Sequence, residues 1–146
     1  LVKKESLNIN VNIVIKGKQY NSMQLQNFDH IVITTDNIEK MLDFYVRVLG
    51  MQLIENNGRY AVSFGNCKIN FHTVKGQFQP AAANPAYGSQ DICLVAAGKI
   101  EDIAREIVAR GWKLETDIVD RNGACGKMCS IYVRDPDGNL VEICCY

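Results

Sequence analysis

Apolar and polar residues follow two patterns along this chain, and the same succession of patterns occurs twice. In each copy, a short run with the period of a strand precedes a stretch in which apolar residues recur at helical spacing. The first strand covers residues 28–34, and its helix carries apolar side chains at Ile38, Met41, Leu42, Tyr45, Val48 and Leu49. The second strand covers residues 91–95, and its helix carries Ile100, Ile103, Ala104, Ile107 and Val108.

A glycine follows each predicted helix at the same distance from the preceding strand. His30 precedes Gly50 by 20 positions, and Asp91 precedes Gly111 by 20. Glycine ends helices because it adopts the left-handed conformation that other residues avoid. Thr35 or Asp36 is expected to cap the start of the first helix. The matching register indicates an internal repeat.

Strand-like runs with short turns follow each helix. They cover residues 51–55, 60–64 and 67–73 in the first copy, and 113–119, 128–134 and 140–146 in the second. Each copy therefore reads βαβββ. Modules of this size do not bury a full core alone, so we predict an α+β fold in which the two sheets join.

This repeat divides the chain into modules at residues 27–75 and 90–146. The linker between them, residues 76–89, holds two of the three prolines and has no periodicity. Residues 1–26 form an N-terminal extension, in which apolar residues alternate with asparagine before Met23. It is either an arm that pairs as an extra strand or disordered sequence added ahead of a natural start at Met23. We prefer the second interpretation.

Composition narrows the classes of partner. The chain has 146 residues, 47% of them hydrophobic, which suits one domain with a substantial core. Sixteen basic and sixteen acidic residues cancel, so nucleic acid and anionic membranes are not expected partners. No apolar run has the length of a membrane span or the core of a secretion signal, which favours a cytoplasmic protein. The six cysteines form no CxxC pair and are interpreted as small apolar residues.

Several sequence motifs accompany the repeat. "DHIVITT" and "FYVRVLGM" lie in the first module, and "RDPDGNLVEI" lies near the end of the second. With this duplicated plan, the chain resembles the glyoxalase, bleomycin-resistance and extradiol-dioxygenase family, also called the vicinal oxygen chelate superfamily. "INFH" at 69–72 and "GSQDICL" at 88–94 are similar to its small glyoxalase-domain proteins. The resemblance implies two modules curled into a cup, a partly open, barrel-like sheet of eight strands.

The resemblance also implies a divalent metal held by the first and last strands of each module. Carried over by position, it assigns His30 and Glu142 as ligands. The chain departs from the family at two positions, where Asp91 replaces a common histidine and Asn70 a common glutamate. His72 lies two residues after Asn70, on the same face of the strand, and is the predicted third ligand. Two imidazoles and a carboxylate suit Fe, Mn, Ni, Co or Zn, and the chain has no other histidine.

Further residues are candidates for the site. Asp91 is a fourth ligand, an acceptor that holds an imidazole in its tautomer, or a cap at the start of a strand. Glu142 and Asp91 are the candidate catalytic bases. Arg134 lines the cavity or pairs with Asp135 or Asp137. In the linker, Phe78 and Tyr87 either cover the opening or pack on the sheet. The predicted substrate-binding residues are Asn70, Ser130, Tyr132 and Arg134.

Membership of this family would imply that a metal grips two neighbouring oxygens of a small substrate. The first hypothesis is therefore a metal-dependent lyase or isomerase that acts on a small oxygenated metabolite, in a homodimer. An Fe(II) extradiol-type dioxygenase ranks lower, because such enzymes usually need an additional histidine. The alternative from another class is a metal-free protein that binds or sequesters an antibiotic-type small molecule. In that case His30 and His72 would be ordinary polar wall residues.

Overall fold

The N-terminal part of the fold is a β-hairpin that belongs to neither of the two larger sheets. The computed structural model describes residues 12–21 and 23–146. Strands β1 (Asn12–Ile15) and β2 (Lys18–Asn21) pair antiparallel with each other and join neither of the larger sheets. This hairpin lies within the predicted N-terminal extension.

The first module forms one mixed sheet and one helix. Its elements are β3 (His30–Thr34), α1 (Ile38–Leu42), a π-helical continuation (Asp43–Val48), β4 (Gln52–Asn56), β5 (Arg59–Phe64) and β6 (Cys67–His72). The strand order is β3-β6-β5-β4, with β3 and β6 parallel and the other pairs antiparallel.

The second module repeats this plan. Its elements are β7 (Asp91–Val95), α2 (Ile100–Ala109), β8 (Val119–Gly123), β9 (Gly126–Arg134) and β10 (Leu140–Cys145). The strand order is β7-β10-β9-β8, with β7 and β10 parallel. The predicted α+β fold of two βαβββ modules is confirmed. The eight strands form two sheets of four and do not close into a barrel. In the part of the chain that the structure describes, neither helix is long and apolar enough to cross a membrane.

One hydrophobic core joins the modules. Ile33, Ile69 and Val62 of the first sheet belong to the same buried cluster as Ile131 and Val141 of the second. Aromatic side chains cross the junction, since the ring centroids of Phe44 and Trp112 lie 4.8 Å apart. Each fully buried aliphatic side chain contributes roughly 1.5–3 kcal/mol. Both modules contribute side chains to this core, and each thereby buries apolar surface that it would leave exposed alone.

The helix of the first module differs from its prediction at its start and in its turns. Its N-cap is Asn37, whose side chain accepts a hydrogen bond from the Lys40 N–H, so capping by Thr35 or Asp36 was wrong. The Thr35 hydroxyl instead accepts from the Asn37 N–H. In the π-helical segment the Leu49 N–H donates to the Phe44 carbonyl, five residues back. This wider turn buries Phe44, which lies outside the predicted apolar stripe.

Two arginines cap the ends of the helices across the module junction. Arg110 Nη1 donates to the carbonyl oxygens of Arg47 and Val48, at 3.1 and 2.8 Å. Arg47 Nη1 donates in return to the carbonyl oxygen of Arg110 at 2.8 Å. Because the last carbonyls of a helix have no partner within it, each guanidinium stabilises the end of the other helix.

The edge strand of the second sheet lies later in the chain than predicted. A strand was expected at residues 113–119, but β8 covers Val119–Gly123. Gly123 pairs with Gly126, so a tight turn at residues 124–125 sets the register of β8 on β9. Residues 113–118 instead run irregularly, with one backbone bond from the Glu115 N–H to the Tyr132 carbonyl at 2.7 Å.

The last turn of the chain holds the linker and the first helix in place. Asp135 accepts hydrogen bonds from the Tyr45 hydroxyl at 3.1 Å and from the backbone and side chain of Asn139. The Asn139 side-chain oxygen accepts from the Gln90 N–H at 2.8 Å. Gly88 packs so closely that a Cβ there would collide with the Asp137 carbonyl oxygen. The end of the linker is thus fixed to the turn that precedes β10.

Candidate functional site

The predicted site residues lie on the sheet faces that point away from the shared core. Side chains alternate between the two faces of a strand, and the residues that alternate with the candidates are those buried in the core. The first sheet carries His30, Asn70 and His72 on its outer face. The second carries Asp91, Ser130, Tyr132, Arg134 and Glu142. We call these surfaces the first and second polar faces.

The register of the sheets relates the two polar faces. His30 pairs with Lys68, so Asn70 lies two residues further along β6. Asp91 pairs with Leu140, so Glu142 lies two residues further along β10. His30 and Asn70 therefore have the same relative placement as Asp91 and Glu142. The repeat puts Asn70, and not His72, at the position that corresponds to Glu142.

His72 lies at the opposite end of the strand pair from His30. It pairs with Thr34, four residues beyond His30, which is about 13 Å at 3.3 Å per residue. Two nitrogens that share an ion with bonds of about 2.1 Å lie at most about 4.2 Å apart. The ring of His72 instead meets the edge of the linker residue Phe78, with centroids 5.0 Å apart. Burial lowers the pKa of His72, which favours the neutral imidazole.

The His30 side chain has one nitrogen engaged. Its Nδ1 lies 2.6 Å from Oδ1 of Asp29, and its side chain is 45% exposed. The hydrogen bond to His30 lowers the pKa of Asp29. A carboxylate on Nδ1 fixes the tautomer in which Nε2 carries a free lone pair, an arrangement common in metal-ligating histidines.

The Glu142 carboxylate has a buried oxygen without a partner. The side chain is half-buried on β10, between Cys93 of β7 and Tyr132 of β9. Its Oε1 is buried and makes no hydrogen bond. An unpaired buried carboxylate oxygen is costly, and a cation or a donor from a ligand would satisfy it. Asp91, at the start of β7, is exposed.

The other predicted residues of the second polar face differ in their hydrogen bonding. Ser130 is fully buried, and its hydroxyl has no partner. The Tyr132 hydroxyl accepts from Arg121 Nε at 3.0 Å. Arg134 donates to the Gly138 carbonyl at 3.1 Å and lies 3.6 Å from the carboxylate of Glu115. Sequence reasoning missed Arg121 and Glu115 because it placed the edge strand too early.

Sequence reasoning also missed two thiols beside Glu142. The sulfurs of Cys93 and Cys144 lie 3.6 Å apart on the second polar face. Partial burial of the sulfur, the contact with Cys144 and the charge of Glu142 together raise the pKa of Cys93 to about 12, so its thiol is protonated at neutral pH. The spacing in sequence gives no hint of the pair, because only the pairing of β7 with β10 brings the two residues together.

The described residues contain no ready-made set of metal ligands within one chain. Across residues 12–21 and 23–146, no three His, Cys, Asp or Glu side chains are grouped to hold an ion. A groove of about 290 Å³ between the modules is lined by Leu49, Met51, Phe64, Leu94, Ile103 and other residues, none of them a predicted site residue. His30 and Glu142 each have a free ligand atom, and they lie on separate polar faces.

Comparison with known proteins decides the family. A family model described as the Glyoxalase/Bleomycin resistance protein/Dioxygenase superfamily matches residues 27–143. The chain belongs to this superfamily. The resemblance drawn from the sequence motifs is confirmed.

Relatives within the superfamily cover most of the chain. The virulence protein STM3117 of Salmonella typhimurium is 39% identical over 135 residues, which cover 90% of this chain and 94% of that protein. Its crystal structure has a TM-score of 0.81 and covers 85% of this chain and 99% of its own. The glyoxalase domain-containing protein RDO1 of Mycosarcoma maydis is 41% identical, over 88% of this chain and 73% of its own. A lactoylglutathione lyase from Agrobacterium tumefaciens shares the fold, with a TM-score of 0.66 at 20% identity, over 84% of this chain and 96% of its own.

Proposed function

We propose that this protein is a glyoxalase-like, metal-dependent lyase or isomerase that acts on a small oxygenated metabolite. Membership of the superfamily supports the class of chemistry. The observation that carries the proposal is the buried, unpaired Oε1 of Glu142, which fits a cation. His30 fits the same role, because Asp29 engages Nδ1 and leaves Nε2 free. Mn, Fe, Co, Ni and Zn all suit such ligands.

The proposed ligand set combines both polar faces. His30 and Asn70 come from the first face, and Asp91 and Glu142 come from the second, because these pairs hold equivalent positions in the repeat. His72 is the less favourable ligand, since the register separates it from His30. The two faces lie outside the shared core, so we propose that a homodimer completes the site by bringing the first face of one chain to the second face of the other.

Each residue then has a part in the reaction. When bound, a metal would polarise two neighbouring oxygens of the substrate and stabilise the charge that develops on one of them. The base that takes the proton next to the carbonyl would be a carboxylate not bound to the ion, either Asp91 beside it or Glu142 after it moves off the metal. Asp29 holds the imidazole of His30 in its ligating tautomer. A cytoplasmic location stays a prediction.

Metal binding by protein purified without a nickel column tests the proposal. Elemental analysis, followed by titration of the metal-free protein with Mn²⁺, Co²⁺, Ni²⁺ and Zn²⁺, should show binding. At a hundred times its dissociation constant, the preferred ion should stabilise the fold by about 2.7 kcal/mol. His30→Ala and Glu142→Gln should each weaken binding, by a factor of ten or more.

His72→Ala is the matched control, because the register predicts that it leaves metal affinity unchanged. The proposal fails if no divalent ion binds, or if His30→Ala binds the ion as well as the parent protein. Stabilisation by an antibiotic-type small molecule, without any response to metals, would favour a sequestering protein instead.

A further inference from the structure

Two cysteines lie in contact on the second polar face, outside the proposed ligand set. Cys93 is on β7 and Cys144 on β10, and their sulfurs are 3.6 Å apart. Cys93 pairs with Glu142, so Cys144 is its diagonal neighbour, two residues along the adjacent strand. The two side chains point to the same face because they occupy positions of equal parity in the sheet.

The geometry of the strands disfavours a disulfide between them. A two-residue offset is about 6.6 Å along the strand and neighbouring strands are about 4.8 Å apart, which places the two Cα atoms about 8 Å apart. Disulfides usually join Cα atoms about 4.4–6.8 Å apart. A sulfur–sulfur bond would therefore require the backbone to move.

The same spacing suits a single metal ion between the sulfurs. Two thiolates on a tetrahedral ion with bonds of about 2.3 Å lie about 3.8 Å apart. The observed 3.6 Å is close to that separation. An ion adds two bond lengths to the reach of the side chains, so it bridges this pair without moving the strands.

A buried hydroxyl beside the sulfurs has no partner. Ser130 pairs with Cys144 across β9 and β10, and its fully buried hydroxyl makes no hydrogen bond. Buried polar atoms are normally satisfied, so this unpaired oxygen next to the sulfur pair points to a bound species such as an ion with its waters.

We propose that Cys93 and Cys144 bind one soft, thiophilic divalent ion, such as Zn²⁺ or Cd²⁺, through their two sulfurs. Cys93 is exposed and Cys144 is buried beneath it, so the ion enters from the side of Cys93. On binding, each thiol releases one proton to water and two metal–sulfur bonds form, with no oxidant or reductant. Solvent completes the coordination, because the described residues contain no three-ligand group.

Titration of the metal-free, reduced protein with Cd²⁺ tests this site. The thiolate-to-cadmium absorption band should rise to a plateau at one ion per chain. Bound Cd²⁺ should protect the exposed thiol of Cys93 from alkylation, as read by mass spectrometry of peptides. Cys93→Ser should lose the plateau, and Cys144→Ala should lose it as well. Because Cys144 is buried, circular dichroism must show that its variant folds, and the exposed Cys93→Ser tests the pair independently.

Cysteines outside the pair provide the controls. Cys67→Ser and Cys125→Ser should keep the one-ion plateau, since each removes a thiol outside the pair. His30→Ala should also keep the cadmium plateau, although this variant should weaken the metal site of the proposed function. Failure of one proposal can therefore be distinguished from failure of the other. The inference is overturned if Cys93→Ser retains the plateau, or if the alkylation pattern places cadmium only on Cys67 or Cys125.

Discussion

At the scale of single residues, Asp137 is an acid in an unfavourable place. It lies in the last turn, and its Oδ2 is buried without a partner. Burial raises the pKa of Asp137, and the charges of Asp135 and Asp36 raise it further, while a hydrogen bond from Thr35 opposes the rise. The folded protein therefore holds the proton of Asp137 more tightly than the unfolded chain does.

Asp137→Asn should raise the melting temperature at pH 7. The unfolded acid ionises near pH 3.8, below the folded one, so stability falls as the pH rises through the interval between the two values. Above that interval, the free-energy cost of holding the ionised Asp137 in the folded protein is constant, and the substitution by asparagine removes this cost. The advantage of the variant should shrink as the pH falls towards 4, in melting curves recorded from pH 4 to 7. Asp117→Asn, at an exposed position, is the matched control, and an unfavourable or pH-independent effect of Asp137→Asn would contradict the assignment.

At the scale of elements, the two helices depend on each other's arginines. The carbonyls that end the first helix are bound by Arg110, and the last carbonyl of α2 is bound by Arg47. These bonds cross the module junction, so they couple the ends of the helices to the docking of the modules. A lysine would not replace Arg110, because the guanidinium binds both carbonyls through Nη1 and the Glu106 carboxylate through Nη2.

Arg110→Ala should lower the free energy of unfolding by about 1–3 kcal/mol, because two helix carbonyls lose a charged donor. Urea denaturation measures this change. Arg105→Ala is the matched control, since Arg105 pairs with Asp102 on the exposed side of α2, and this change should cost less than about 0.5 kcal/mol. Equal losses of unfolding free energy in the two variants would show that the hydrogen bonds across the module junction add no more stability than an exposed ion pair.

The spacing of apolar residues predicted most of the helices and strands. The exceptions lie at an exposed edge strand and at a helix start where a different hydrogen bond forms. The helices and the strands β7, β9 and β10 lie where apolar residues recur with a clear period. Strand β8 escaped prediction because its sequence, VDRNG, is polar on an exposed edge, where burial imposes no alternation. Asn37 caps the first helix in place of Thr35, because the Thr35 hydroxyl accepts a hydrogen bond from the Asn37 N–H.

The candidate site was less predictable than the fold. His30 and Glu142 were predicted as ligands from the family resemblance, and the structure gives each a free ligand atom. His72 shares the first polar face with His30, but sharing a face does not fix the position along a strand. That position depends on the register of β3 on β6, a long-range pairing that no local pattern contains. The contact between Cys93 and Cys144 depends on register in the same way.

At the scale of the whole molecule, the packing leaves apolar residues on the polar faces. Val32 is 38% exposed on the first face, beside Asn70, and Val95 is 66% exposed on the second, beside Cys144. These valines flank the candidate ligands. A second copy that joined the two faces would cover them and complete the proposed site.

Val32→Lys and Val95→Lys should each reduce the dimer fraction, because a charge would enter the proposed contact between chains. Light scattering coupled to size-exclusion chromatography, over a range of protein concentrations, measures the mass. Val108→Lys, on the exposed side of α2, should leave the mass unchanged. A parent protein that stays monomeric at every concentration would contradict the dimer.

The linker is held by contacts at both of its ends. The stretch between those contacts is where we expect a break in the chain to disturb the fold least. Phe78 is held at one end by His72 and Arg59, and Gly88 is pressed against the last turn at the other. The alanines at residues 81–83 between them are exposed. A break there would leave two fragments, each complete in its own sheet, and we expect them to associate through the common core.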